Sequence, residues 1–468
     1  MAGGSYVGLD IGSNLIKVAE VRGGGGRIEV TALGIEPTPP DAFVNGEIID
    51  AQLLGQAVKQ LLKKAGVTTK KVISSVSGQS SVVVRVIEVP KMNEAELAET
   101  MKWEVERQVP FNASEVICDY KPIDRPEGGD GQNMEVLLAV AQQGLVDRHV
   151  SMLFAAGLKP VAIEVEPLAA GRGLLEINSN GAAPGHTVVV VNIGANNTDI
   201  SIFRDKLISF PRTLPLAGDN LTRAIAEALQ VDLATAENYK REQAEVMLDQ
   251  LQQPQGYGDA GAFDAGFVDF SMSVPEGPPS GRLAGGTPSG RMPFDFSTPG
   301  DVAVPGAPTF DMASTPSFSP GQSLEGSGTL SPMDTGFLPP PPNLPVPSDS
   351  GASTAHDPLR IQIFNAIAPV LAELVQELRR SIDYYQSRAG DSPIHEILLI
   401  GGTAKLKNLA PFLEMELGIS TKVANPLQNV QVTSKNFSQG HLEEIASLFP
   451  VCLGLGVRDL IAPAGKKK

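Results

Sequence analysis

Two stretches of this chain share one plan. GLDIGSNLIKVAEV, Gly8 to Val21, and VVVVNIGANNTDISIF, Val188 to Phe203, each read as an apolar strand, a polar residue, a glycine, small polar residues and a second strand. In the first, Val7, Leu9 and Ile11 precede the turn and Ile16, Val18 and Val21 follow it, so both arms read as strands with buried faces. A tight Gly-Ser-Asn turn points backbone N–H groups, a hydroxyl and an amide at one small volume, which is how an oxyanion is held. Taken singly, such a hairpin is equally an ordinary β-turn. Two that face each other can wrap a triphosphate from both sides. A third glycine element, LLIGGTAKL at Leu398–Leu406, joins a buried strand to a helix, and its Gly-Gly turn leaves room for a flat base near the backbone. No GxxxxGK[ST] is present, which excludes a P-loop, and the lack of GxGxxG after a strand counts against a dinucleotide-binding Rossmann domain.

Strands and helices alternate around these motifs. Val72–Val76, Val82–Val89 and Met134–Ala141 read as strands. Asn93-Glu-Ala-Glu96 reads as a capping box opening a helix through Val109, with Leu97, Met101 and Val105 on one face. Leu145–Ala156 reads as a helix ending at Gly157, and Asp219–Leu229 and Leu233–Gln250 as two more. A long helix follows from near Leu359 to Ser387. Its stripe Ile363, Ile367, Val370, Leu374, Leu378, Ile382 and Tyr385 is most simply a core face, with a partner-binding helix as the alternative. The strand Ile397–Ile400 and a last helix near His441–Phe449 complete an α/β order.

One segment breaks the pattern. From about Asp249 to Asp357, Pro, Gly and Ser dominate, there is no lysine, and the only arginines are Arg282 and Arg291, in a PSGR motif that occurs twice. Such a segment cannot bury enough apolar surface to offset its chain entropy, so it is expected to be a disordered acidic insertion. It reads either as a tolerated surface loop or as a tether whose spaced Phe and acidic residues dock on partners. The remaining sequence, within 468 residues that are 42% hydrophobic and 19% charged, is enough for two or more domains with cores. The formal net charge of −16 argues against unassisted binding to nucleic acid or acidic lipid. Cys118 and Cys452 have no metal or redox spacing and read as structural thiols in a reducing compartment. With no signal-peptide pattern, and with apolar stretches such as Thr187–Val191 too short to cross a bilayer, a cytoplasmic protein is expected whose membrane role runs through partners.

The three glycine elements, in this order, resemble the actin, Hsp70 and sugar-kinase ATPase superfamily over all of the chain except the insertion. The resemblance implies an α/β actin-like ATPase fold of duplicated ribonuclease H-like domains, with ATP and Mg²⁺ as cofactors. Carried over by position, it makes Asp10 the residue that orients water on Mg²⁺. Gly12, Ser13 and Asn14 hold the outer phosphates and Lys17 neutralises them. Gly194, Ala195, Asn196, Asn197 and Thr198 form the opposite phosphate turn. Gly218, in PLAGDNLTRAI, joins the cofactor-binding set. Glu237 and Lys240, in AENYKRE, contact ribose and base, and Gly401, Gly402 and Thr403 border adenine. Glu166, in VEPLAA, resembles the glutamate of an Hsp70-like NEPTAA segment and is a catalytic candidate; a carboxylate in a strand-to-helix turn is its structural alternative. The family's second phosphate hairpin usually opens with aspartate, as in VDIG, where this chain has Asn192. A neutral amide draws a cation less strongly, so ATP binding with slow turnover is expected, at most a weak ATPase.

Further motifs narrow the family. KWEVERQVPFNASEVICDY, Lys102 to Tyr120, and RRSIDYYQS, Arg379 to Ser387, resemble the W-E-x-E…I/V-P-F…D-Y segment and the R-S-x-x-Y-Y helix of the type IV pilus assembly protein PilM family. AGLKPVAIEVEP and PLAGDNLTRAI fit as well. That resemblance implies a cytoplasmic scaffold at the inner face of the inner membrane, binding the N-terminal peptide of the inner-membrane protein PilN beside an inserted small α+β subdomain. Trp103, Val105 and Phe111 are groove candidates, with packing inside the subdomain as their alternative. Other cytoplasmic pilus proteins, assembly ATPases among them, and self-association are further candidate partners. The implied organisation is subdomain 1A over 5–79 and 158–186, the small subdomain over 80–157, and subdomains 2A and 2B over 187–248 and 358–440. The insertion takes 249–357, a C-terminal helix returns to 1A over 441–462, and 463–468 form a basic tail. The rivals are an FtsA-like membrane tether and a small-molecule kinase. The ending RDLIAPAGKKK, interrupted by Pro463 and Gly465, departs from the amphipathic helix expected of the first, and no catalytic base announces itself for the second.

Overall fold

The computed structural model describes residues 4–24, 27–44, 46–78, 81–125, 132–177, 185–251, 357–390, 392–428, 430–434 and 436–461. The expected disordered insertion lies outside these residues from 252 to 356, as do the tail 463–468 and the subdomain boundary at Ser80.

The first half opens with a meander, β1 (Gly4–Ile11), β2 (Leu15–Gly24) and β3 (Arg27–Pro37). A short hairpin of β4 (Phe43–Val44) and β5 (Glu47–Ile48) follows, then α1 (Ala51–Ala65) and β6 (Lys71–Val76). Asp50 caps α1 by accepting from the Gln52 and Leu53 N–H groups, and Gly66, at φ +74°, ends it in the left-handed conformation. A small sheet of β7 (Val82–Pro90), β8 (Val116–Ile123) and β9 (Asn133–Gln142) carries α2 (Glu94–Gln108). The Asn93–Glu96 capping box forms, and Leu97, Met101 and Val105 face the sheet as the spacing predicts. Next come α3 (Gln143–Ala155), β10 (Lys159–Val165) and α4 (Glu166–Gly171), the last continuing through a π-turn at Arg172–Glu176.

The second half repeats the plan with the meander β11 (Thr187–Ile193), β12 (Thr198–Arg204) and β13 (Leu207–Leu214). The helices α5 (Gly218–Leu229), α6 (Leu233–Glu242) and α7 (Leu248–Leu251) follow, then α8 (Pro358–Arg388), β14 (Glu396–Ile400), α9 (Leu409–Leu417) and β15 (Thr421–Val423). The chain then returns to the first sheet through β16 (Gln431–Val432), α10 (Gln439–Ile445) and α11 (Pro450–Val457).

The strand orders state the duplication. The first sheet runs β10-β6-β1-β2-β3-β16 and the second β13-β12-β11-β14-β15. Each holds an antiparallel meander whose first strand is flanked by two parallel strands, the ribonuclease H-like order used twice. α4 and α11 fill the layer between the sheets, where Ala169, Ala170, Val451 and Leu455 meet Ile73 of one sheet and Val188, Val190 and Ile400 of the other. The approach is backbone on backbone. A Cβ on Gly454 would stand 1.8 Å from the Ala169 carbonyl oxygen, and one on Gly8 would stand 1.7 Å from that of Cys452.

Several elements differ from the sequence reading. The helix expected over Leu233–Gln250 ends at Glu242, because Gln243–Met247 leaves the helix to lie along the Lys405–Asn408 loop. The insertion boundary at 249 falls inside α7, and Asp357, the other boundary, caps α8 by accepting from the Leu359 N–H. The helix expected near His441–Phe449, and over 441–462, is α10, a 3-10 turn and the separate buried helix α11. The return to the first sheet starts at Gln431, ahead of the boundary at 440. Cys452 is buried, but Cys118 is exposed on β8, where it pairs in register with Val140. By length and composition α8 is apolar enough to cross a membrane, contrary to the reading that no stretch is. Ile363, Phe364, Ile367, Leu371, Leu374, Val375, Leu378 and Ile382 bury that apolar stripe in the core of the second half.

Candidate functional site

The two sequence-matched hairpins close in the same way. The Gly12 N–H donates to the Leu15 carbonyl at 3.0 Å, and the Gly194 N–H to the Asn197 carbonyl at 3.0 Å. Ser13–Asn14 and Ala195–Asn196 are therefore equivalent two-residue tips. Both tips line one cavity of about 630 Å³. The same cavity receives Asp10, Gly12, Lys17, Glu166, Asn192, Gly194, Asn197, Glu237, Lys240, Gly401, Gly402 and Thr403. Of the sequence candidates, Thr198 and Gly218 alone stand outside its lining. Thr198 is buried and donates to the Leu216 carbonyl at 2.6 Å, so it braces the second hairpin. The Gly218 carbonyl accepts from Lys240 Nζ at 3.0 Å, and its N–H donates to the Gly194 carbonyl at 3.1 Å.

Equivalent rungs of the hairpins carry the charges. Asp10 sits across from Lys17 and Asn192 across from Asp199. Each hairpin thus brings one carboxylate, on the first strand in one case and on the second in the other. Asp10 Oδ2 and Lys17 Nζ form an ion pair at 2.9 Å, both side chains nearly buried. Burial alone would lower the Lys17 ammonium; its attraction to Asp10 outweighs this and holds it above its usual value. Glu166 opens α4, with Pro167 in the first helical turn. Burial, with the charges of Asp10 and Asp199 adding to it, pushes its carboxyl up to about 8 against a hydrogen bond from Ser77. Burial likewise raises Asp199 to about 6, opposed by the Thr213 hydroxyl, which donates to it at 2.6 Å.

Asp199 lies in the second arm of VVVVNIGANNTDISIF, where the sequence reading gives it no role. The available signal was a lone charge at the head of an otherwise uncharged, apolar arm, DISIF. That reading also missed Gln243, Glu245, Arg360 and Lys407, which reach the cavity from three separate elements. Glu237 and Lys240 do meet there, 2.6 Å apart. Thr222 donates to Glu237 at 2.7 Å and accepts from Lys240 at 2.8 Å. Gly401 needs to be glycine, since its φ is +90° and a Cβ would stand 2.4 Å from the Ile193 carbonyl oxygen. Thr403 donates to the Gly194 carbonyl at 2.9 Å, tying the Gly-Gly turn to the second hairpin.

The donor set suits a polyanion with a hydrated cation. Lys17, the Ser13 hydroxyl, the Asn14 amide and the glycine backbones face one volume, and Asn196 Oδ1 is buried there without a hydrogen-bond partner. Among the described residues no three His, Cys, Asp or Glu converge as a metal cage. A hard cation that keeps most of its waters needs none. Away from the cavity, Trp103 is 75% exposed, which removes its packing alternative, whereas Val105 is buried under α2 and Phe111 packs on that core.

Residues 8–247 and 362–460 match the family described as Type IV pilus assembly protein PilM. The chain belongs to that family. A chain of the solved PilM-PilN type IV pilus biogenesis complex is 27% identical, covers 98% of this chain and 99% of its own length, and superposes with a TM-score of 0.65. FtsA cell-division proteins are more distant. That of Streptococcus pneumoniae serotype 2 (strain D39) is 26% identical over 260 residues, 51% of this chain and 55% of the FtsA. That of Bacillus subtilis (strain 168) is 24% identical over 258 residues, 51% of this chain and 57% of the FtsA. The chain thus spans little more than half the length of the FtsA relatives it matches. With the PilM family established, the actin-like fold and the role in type IV pilus assembly follow for this chain.

Proposed function

We propose that this PilM-family chain is an ATP-binding scaffold at the inner face of the inner membrane. It holds the N-terminal cytoplasmic peptide of a PilN partner and links it to the cytoplasmic pilus machinery. The observation that carries the reading is the pair of equivalent hairpins, each bringing one carboxylate, that open on a single cavity. When bound, Mg²⁺–ATP supplies a polyanion and a phosphoryl group open to attack by water. Ser13, Asn14 and the backbone of Gly12 and Gly194 to Asn197 hold the phosphates, and Lys17 neutralises them. Asp10 and Asp199 hold water of the metal's shell. Glu166 faces the same cavity, its carboxyl pushed up by burial and by the charges of Asp10 and Asp199 in the ligand-free protein. Asn192 draws the cation less strongly than a carboxylate, so hydrolysis is slow.

The PilN peptide lies against the small sheet as an extended strand, gaining main-chain hydrogen bonds while pockets select its side chains. Nucleotide tunes that affinity to the extent that it favours one cleft conformation over another. Calorimetry with Mg-ATP, then with a synthetic PilN N-terminal peptide with and without saturating Mg-ATP, tests both parts. Binding of both ligands, with a peptide affinity that shifts with nucleotide, is the expected result. No heat from Mg-ATP would overturn the nucleotide reading, and equal peptide affinities would overturn the coupling.

A further inference from the structure

The cavity has a wall that neither hairpin builds. Where α6 stops, Gln243–Val246 runs as a strap along the loop after the Gly-Gly turn. The Val246 N–H donates to the Lys407 carbonyl at 3.0 Å, and Asn408 Nδ2 donates to the Val246 carbonyl at 2.9 Å. The first turn of α8 arrives at the same place. Arg360 Nε donates to Gln243 Oε1 at 3.2 Å, and Arg360 Nη1 stands 3.4 Å from Glu245 Oε1. Lys407 pairs with the other oxygen of Glu245, which is itself buried. Gln243, Glu245, Arg360 and Lys407 all line the cavity.

This chain of contacts has a direction. A guanidinium only donates, so Arg360 fixes the Gln243 amide by its oxygen and leaves the NH₂ group as the part that can donate to a ligand. Arg360 is fixed in turn by Glu245, and Glu245 by Lys407. The phosphate-holding groups all belong to the two hairpins, so a nucleotide seated on them directs its base toward the remaining wall. We propose that Gln243 is a specificity-determining residue that donates a hydrogen bond to a ring-nitrogen acceptor of an adenine base, with Arg360 and Glu245 as positioning residues. The proposal rests on the reading of the cavity as a nucleotide site. No part of it depends on how the phosphates are hydrolysed.

The test compares the full chain with Gln243→Ala, Arg360→Ala and Arg360→Lys by calorimetry against Mg-ATP and against inorganic tripolyphosphate, which has no base. One hydrogen bond lost at a part-buried site corresponds to an affinity loss of about 5–15-fold. Gln243→Ala and Arg360→Ala should weaken ATP by that factor and leave tripolyphosphate within about twofold. Arg360→Lys, which keeps a donor for the Gln243 oxygen, should recover part of the loss. In the wild type, one of the 1-, 3- and 7-deaza analogues of ATP should bind as weakly as ATP binds to Gln243→Ala. The proposal is overturned if Gln243→Ala binds ATP like the wild type, if both ligands weaken together, or if all three deaza analogues bind like ATP. A wild type that binds neither ATP nor tripolyphosphate would instead remove the nucleotide reading itself.

Discussion

Replacing Lys17 with methionine keeps much of the side-chain volume and removes the cation that sits 2.9 Å from Asp10. Asp10 is 5% exposed and would be left with Glu166 and Asp199 as its charged neighbours. Breaking a buried ion pair by removing one partner costs about 3–5 kcal/mol, because the surviving charge is desolvated without compensation. At about 2–4 °C per kcal/mol, the value for folds of about 150–250 residues, this corresponds to a loss in melting temperature of roughly 6–20 °C, an upper range for this longer chain. The double substitution Asp10→Asn with Lys17→Met leaves no buried charge at this rung, so it should melt within about 1–2 kcal/mol of the wild type. Thermal melts of the wild type, Lys17→Met, Asp10→Asn and the double variant complete the cycle. A double variant no more stable than Lys17→Met alone would refute the reasoning, since the loss would then come from packing and not from a stranded carboxylate.

Other consequences can be checked on the same protein. Gly454→Ala drives a methyl to 1.8 Å from the Ala169 backbone, where no rotamer can yield, so it should cost more than the ~1–3 kcal/mol of ordinary overpacking. Gly66→Ala, which meets open space and bears only the φ of +74°, should cost about 1 kcal/mol; melts in the reverse order would contradict the placement of α11. The raised carboxyl of Glu166 binds a proton in the folded state that the unfolded chain has released, so it supports stability below about pH 4.5. That support fades as pH rises toward about 8. Glu166→Gln should therefore flatten the fall in melting temperature between pH 5 and 8, and an unaltered slope would argue against this assignment. Asn192→Asp should destabilise the ligand-free protein, because it faces Asp199 across the strand pair, and should raise ATP turnover about tenfold or more, ~1.4 kcal/mol; an unchanged rate removes Asn192 as the cause of slow hydrolysis. Deleting Gln255–Ser353 should leave the Mg-ATP affinity intact, and its loss would show that the segment serves the site.

The parts legible in the sequence were those whose physics is local. Alternation of apolar residues around Gly12 and Gly194 fixed both hairpins, and Asn93–Glu96 announced its helix through a cap that needs only four residues. Gln243 was misread because Gln-Ala-Glu-Val-Met continues a helical composition. What ends α6 is a set of hydrogen bonds to Lys407 and Asn408, more than 150 residues later. Pro450-Val-Cys-Leu-Gly-Leu-Gly-Val is apolar on every side, so it has no amphipathic period to reveal a helix, and only burial between two sheets explains it. Asp199 and Arg360 were overlooked for a related reason. Their importance comes from where two strands or two distant helices meet, and spacing within one segment cannot express that.

The central claim is that the two hairpin tips clasp one nucleotide. A crystal structure of the full chain grown with Mg²⁺ and a non-hydrolysable ATP analogue tests it most directly. The account predicts the triphosphate between Gly12–Asn14 and Gly194–Asn197, with the base toward Gly401 and Gln243. A nucleotide held elsewhere on the molecule, or none at saturating concentration, would contradict it.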